Sequence, residues 1–279
     1  MREVSKLIEV TTSEKVKKIE EVAKLMRKYI IEMASVEKTV HLGSSMSVVE
    51  ILATIWLGAM EPRKCDERPT EHDWLILSKG HAVPAFYALL AALELIPPHW
   101  VKTIRDISSP LQGHPDDTLA CVDAPTGSLA QGFSFATGVA KGLKMKGSKK
   151  RVYVVLGDGE LDEGEVWEAA STAAAHSLDN LTAVVDWNGF QLDGETFKVK
   201  NKGDLIGKWK AFGWHVIVVD DGHDVASLLE ALEEAKNVKG KPTVILAKTV
   251  RGKGVPSIEG TKQQRIEPSE ARKLLEEMS

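Results

Sequence analysis

Two loops in the second half of the chain carry residues of the type and spacing that hold a phosphorylated ligand through a divalent cation. The apolar run Val152–Leu156 ends in Gly157-Asp158-Gly159. A buried strand that stops on glycine leaves its loop at the carboxyl edge of the sheet, where ligands of α/β proteins gather. The glycines let backbone amides approach a phosphate, and the following helix offers its positive N-terminus. Asp158 adds an oxygen ligand of the kind a Mg²⁺-diphosphate complex requires. The next apolar run closes in Val184-Val185-Asp186-Trp187-Asn188-Gly189-Phe190. Between Gly159 and Asn188 lie positions 160–187, which is 28 residues, one helix plus one strand. In a parallel sheet that crossover returns Asn188 to the edge that carries Asp158. A hard cation could then take the Asp158 carboxylate, the Asn188 side-chain oxygen and a loop carbonyl.

His41, His81 and His114 stand in glycine-containing loops, where a lone histidine by itself reads as structural or exposed. His72, His99, His176, His215 and His223 read as surface or core residues. The acids Glu160, Asp162, Glu163 and Glu165 read as a solvated helix start, where the macrodipole favours negative charge. The basic run Lys141, Lys144, Lys146, Lys149, Lys150, Arg151 reads as a solvated helix end and loop.

The elements that must position these groups follow from periodicity. Val16, Ile19, Val22, Ala23, Met26 and Ile30 mark a helix from Ser13 onward, and a second helix is expected over 47–59. A strand at 74–78 and a helix at 83–95 follow. The segment 108–127 is a long loop, of the kind that tends to be functional. Residues 129–145 form a helix rich in small residues. Strands at 152–156, 181–186, 215–219 and 243–247 then alternate with helices at 165–176, 205–212, 225–236 and from 269 on. Strands continuous in Val, Ile and Leu are covered on both faces. The pattern predicts a three-layer α/β/α fold with a mainly parallel sheet, read as a single domain over 1–279.

Composition removes several classes of function. In 279 residues, 40 Asp+Glu against 36 Lys+Arg leave a formal net charge of −4, with 43% hydrophobic and 27% charged residues. That is an ordinary globular balance with no basic footprint for nucleic acid. The longest apolar stretch, Ala82–Leu93, is too short to span a bilayer, and Met1-Arg2-Glu3 opens no signal sequence. Cys65 and Cys121 form no close pair, so neither a disulfide framework nor a zinc site is expected, in keeping with a reducing cytoplasm.

Taken together, the motifs resemble transketolase. The Gly-Asp-Gly, gap and Asn pattern is similar to the thiamine diphosphate motif. Ser78-Lys79-Gly80-His81-Ala82, Gln112-Gly113-His114-Pro115, the 126–132 loop Thr-Gly-Ser-Leu-Ala-Gln-Gly, Val40-His41-Leu42-Gly43 and Gly213-Trp214-His215-Val216 resemble further family segments in the right order over about residues 15–255. The resemblance implies a thiamine-diphosphate-dependent enzyme that moves a two-carbon ketol unit from a ketose phosphate to an aldose phosphate. It implies Mg²⁺ held by Asp158, Asn188 and the Phe190 carbonyl. It further implies that His81, Gly127, Ser128, Leu129, Gly159 and Asn188 bind the cofactor. His41 and His114 would bind sugar hydroxyls and assist proton transfer, and Glu163 would couple paired active sites.

Departures from the family pattern carry information of their own. Val40 and Ala130 stand where glycine is usual, and the segment from Gly254 to Arg265 has no histidine where many transketolases place one. Full-length transketolases add a pyrimidine-binding and a C-terminal domain, and the glutamate that protonates the cofactor pyrimidine belongs to the former. The resemblance therefore implies a separate C-terminal subunit supplying that glutamate, in a heterotetramer. The rivals are the cofactor-binding subunit of a 2-oxo acid dehydrogenase, a deoxyxylulose-phosphate synthase fragment and a non-catalytic cofactor-binding scaffold.

Overall fold

A computed structural model describes residues 12–63, 65 and 72–278; the Met1-Arg2-Glu3 reading falls outside them. Helix α1 (Thr12–Val36) buries Ile19, Ala23, Met26 and Ile30, the stripe expected from i, i+3, i+4 spacing. The helix expected over 47–59 is instead α2 (Leu42–Met46), α3 (Val49–Thr54) and a π-helical turn at Ile55–Ala59. Every residue from 42 to 56 is buried. A segment buried on all sides, its polar Ser44, Ser45, Ser47, Glu50 and Thr54 included, gives periodicity no phase from which to place its ends.

Strand β1 (Trp74–Leu77) leads through a 3₁₀ turn at Gly80–Ala82 into α4 (Val83–Ala92). After the long loop come α5 (Gln131–Met145), β2 (Val152–Gly157), a 3₁₀ turn at Gly159–Asp162 and α6 (Gly164–Ala175). Strand β3 (Leu181–Trp187) is followed by a small antiparallel hairpin, β4 (Phe190–Gln191) and β5 (Gly194–Glu195), and by the short α7 (Thr196–Val199). The chain continues as α8 (Leu205–Ala211), β6 (His215–Val219), α9 (Val225–Asn237), β7 (Thr243–Lys248) and α10 (Pro268–Glu277).

The main sheet has the order β1-β2-β3-β7-β6 and all its pairings are parallel. Alternation along the strands divides the core in two. Tyr153, Val155, Val184 and Ile245 pack toward α1, α3, α4 and α9, whereas Val152, Val154, Leu156, Val185 and Leu246 pack toward α5, α6 and α8. The central strands β2, β3 and β7 thus bury both faces, which accounts for their apolar runs, whereas the edge strand β6 leaves Val218 exposed. The expected three-layer α/β/α architecture is the one observed.

One expectation about the cysteines fails. Cys65 and Cys121 are joined as a disulfide, with Cα atoms 4.5 Å apart. The 56 residues between them in sequence carried no sign of this proximity, because the fold brings the long loop beside the segment before β1. Cysteine usage therefore no longer argues for a reducing compartment. Among the described residues, no helix is long and apolar enough to cross a membrane.

Candidate active site

The register of β2 on β3 sets Gly157 opposite Asp186, and the Asp158 amide donates to the Asp186 carbonyl at 3.2 Å. Asp158 and Asn188 therefore leave the sheet side by side at its carboxyl edge. They line one cavity of about 730 Å³ together with His41, His81, Gly127, Leu129, Gly159, Glu163 and Phe190. Of the residues expected at the site, His114 and Ser128 are not among the lining, although the Gly127 backbone lies against the His114 ring.

Asp158 is 1% exposed. Its carboxylate accepts from the Gly159 amide (2.9 Å), the Gly189 amide (2.8 Å) and the Thr196 hydroxyl (3.1 Å). Gly189 makes its contact from φ +79°, a conformation that a side chain disfavours. Burial, with the neighbouring Asp186 charge, still pushes the Asp158 pKa up to about 6. The Asn188 amide group donates to Asp186 Oδ2 at 2.8 Å, and its Oδ1 accepts from the Phe190 amide at 3.0 Å. Asp186 itself is fully buried against Lys79, whose Nζ lies at 2.5 Å.

Two of the histidines, His41 and His81, line the same cavity. His41 and His81 meet edge to face with centroids 5.5 Å apart, and His81 Nε2 lies 3.2 Å from the Ser44 hydroxyl. Burial, then the Arg265 charge, holds His41 near a pKa of about 4. Burial, then the Lys79 charge, takes His81 well below the ordinary range, and burial with Arg105 lowers His114. All three imidazoles are thus kept neutral at physiological pH.

The family model for "Transketolase, thiamine diphosphate binding domain" matches residues 19–274. The chain belongs to the transketolase family. It is 39% identical over 239 residues to the 6-deoxy-6-sulfo-D-fructose transketolase subunit SqwG of Clostridium sp. (strain MSTE9), covering 85% of this chain and 86% of that one. It is 38% identical to an apulose-4-phosphate transketolase subunit of Actinobacillus succinogenes, covering 87% and 88%. The solved transketolase of Campylobacter jejuni superposes with a TM-score of 0.84 at 28% identity, covering 94% of this chain but only 42% of that one.

In this transketolase chain several cavity residues had escaped sequence reasoning. Glu160, expected in solvent, is 2% exposed and accepts from the Ser78 hydroxyl, the Ala130 amide (2.8 Å) and the Gly157 amide (3.0 Å). Its partners Ser78 and Ala130 lie 82 and 30 residues away, so local pattern could not reveal its burial. Ala130, where the family favours glycine, takes φ +74°, the left-handed conformation that makes glycine the easier choice. Arg251 is 3% exposed and donates to the Phe190 carbonyl at 3.2 Å, while its Nε has no partner. The β4–β5 hairpin adds Gln191, Leu192 and Asp193 to the cavity wall. His223, set aside as surface or core, is a structural link: it accepts from the Val250 amide at 2.8 Å and meets Glu50 Oε2 at 2.8 Å.

Proposed function

We propose that this chain acts as a single thiamine-diphosphate-binding domain, the diphosphate-side subunit of a split transketolase that moves a two-carbon ketol unit from a ketose phosphate to an aldose phosphate. The observation that carries this reading is the return of Asp158 and Asn188 to one sheet edge, in one cavity with the neutral imidazoles of His41 and His81. Bound thiamine diphosphate supplies the carbon nucleophile that takes up the two-carbon unit.

The residues present fit Mg²⁺ and a diphosphate. The Asp158 carboxylate, the Asn188 Oδ1 and the Phe190 carbonyl are hard oxygen donors, the set this ion prefers. Asp158 is a buried carboxylate whose raised pKa marks negative charge that its backbone and hydroxyl donors do not fully offset, and a bound cation relieves it. On this reading the Gly159 amide, His81 and the loop Gly127, Ser128 and Leu129 hold the cofactor. His41 and His114 bind sugar hydroxyls and exchange protons with them, for which a neutral imidazole is the required form. Glu163, exposed at the cavity edge ahead of α6, is assigned to coupling between paired sites.

A separate partner subunit is part of the proposal. Its support lies in two relatives that are themselves named as transketolase subunits and match this chain along 86% and 88% of their length. The partner would supply the pyrimidine-activating glutamate in a heterotetramer. Those relatives' names specify a sulfonated ketose and a ketose phosphate, so both classes belong in the donor panel. The test is to co-purify the chain with its partner and assay ketol transfer from xylulose 5-phosphate to ribose 5-phosphate, with thiamine diphosphate and Mg²⁺. Cofactor binding without turnover on any ketose would favour the scaffold reading instead.

A further inference from the structure

The 263–265 segment reaches the cavity through a side-chain clamp. The Gln264 carbonyl accepts from the Gly43 amide at 3.1 Å, and its Oε1 accepts from the Ser44 amide at 2.9 Å. The Gln264 side-chain amide in turn donates to the Ser44 hydroxyl at 2.7 Å. A side chain at Gly43 would stand 2.7 Å from the Gln263 carbonyl, so glycine there is a condition of the clamp. The clamp delivers the next residue, Arg265, to the α2 end of the cavity, where its Nη2 lies 3.1 Å from His41 Nε2. Among the described residues Arg265 has no carboxylate within ion-pair distance. Its guanidinium is directed instead at the imidazole.

A guanidinium has donors and no acceptor. The geometry at Nε2 therefore requires the lone pair there and the His41 proton on Nδ1, an atom shut away from solvent. We propose that Arg265 is a positioning residue for His41: held by the Gln264–Ser44 clamp, its guanidinium selects the Nδ1-protonated tautomer and acts with burial to keep the imidazole neutral. The charged and titratable groups that face His41 come from four segments: Arg265, His81, Arg105 and His114. Burial opposes its protonation most, the Arg265, Arg105 and His114 charges act in the same direction, and a backbone contact with His81 favours it. Arg265 also stands in the segment that lacks the histidine expected there.

This proposal gives His41 its significance through the ketol-transfer reading, but its test does not depend on turnover. Long-range ¹H–¹⁵N spectra of the full chain would follow the His41 ring from about pH 3 to 8 in wild type, Arg265→Gln and Arg265→Lys. Wild type should remain in the Nδ1-protonated neutral form down to about pH 5, with a midpoint near 4. Arg265→Gln should raise the midpoint by about one pH unit and mix the tautomers, since loss of a like charge at this range shifts a titration by that order. Arg265→Lys should hold the midpoint low, because it keeps the charge. His223 serves as a folding control, because its partners Glu50 and Val250 are untouched. An Arg265→Gln spectrum with either the midpoint or the tautomer as in wild type overturns the proposal. With the partner subunit present, the acid limb of the ketol-transfer profile should rise by the same amount; absence of any turnover would count against the functional reading and leave the titration result standing.

Discussion

Lys79 and Asp186 form an ion pair of 2.5 Å beneath the cavity, their side chains 2% and 0% exposed. Asp186 also accepts from the Ser47 hydroxyl (2.7 Å), the Thr249 hydroxyl and the Asn188 amide. Burial would raise the Asp186 pKa, yet Lys79 and the hydroxyl donors bring it below the usual carboxylate range. The pair therefore turns the Asn188 amide so that its oxygen faces the Phe190 loop.

Removing one partner should be far worse than removing both. Lys79→Met leaves a buried carboxylate without its cation, and the expected loss is about 3–5 kcal/mol in urea unfolding. Lys79→Met combined with Asp186→Asn should recover much of that loss. Equal destabilisation in the single and double variants would remove the pair from the account.

Acid stability should depend on Glu50. Burial raises its pKa, but hydrogen bonds from His223 and Arg27, with the Arg27 charge, bring it down to about 2. A pKa lowered in the folded state contributes stability above the ordinary carboxylate value of 4.5, and that contribution is lost as pH falls toward 2. The difference corresponds to at most about 3 kcal/mol. Urea midpoints of wild type should therefore fall between pH 5 and 3, whereas those of Glu50→Gln should start lower at pH 7 and change less across that window.

The hairpin over Gly159 makes a steric prediction. A Cβ at this position would lie 2.8 Å from the Gln191 Cβ, a contact no side-chain rotation relieves. Gly159→Ala should cost about 1–3 kcal/mol and weaken cofactor binding. Adding Gln191→Gly should restore binding by calorimetry, and failure to do so would place the defect elsewhere.

The sheet and the cavity floor were legible for different reasons. Val152–Leu156 and Leu181–Asp186 announced themselves because strands buried on both faces read as nearly continuous apolar runs. Asp158 and Asn188 were legible because loop residues at strand ends answer to their ligands rather than to packing. The β4–β5 hairpin was not, since two-residue strands are too short for alternation to register. Glu160, Arg251 and the Cys65–Cys121 link were hidden for a common reason: each owes its position to residues distant in sequence, and charge or cysteine type alone favoured solvent or a free thiol.

Asp158→Ala separates the metal from the fold. Relief of its buried charge offsets the loss of its bonds from Gly159, Gly189 and Thr196, so the unfolding midpoint of the cofactor-free chain should change little. Mg²⁺-dependent binding of thiamine diphosphate should fall by at least about 100-fold, more than is usual for partners outside the metal's own ligands. Retained binding in calorimetry would remove Asp158 from the ligand set.

The central claim is that this chain holds the diphosphate side of a site completed by another subunit. It is tested most directly by a ketol-transfer assay with thiamine diphosphate and Mg²⁺, run on the purified chain alone and again after addition of the co-purified partner. The account predicts cofactor binding without turnover in the first case and transfer in the second. Full transfer by the chain alone would contradict it.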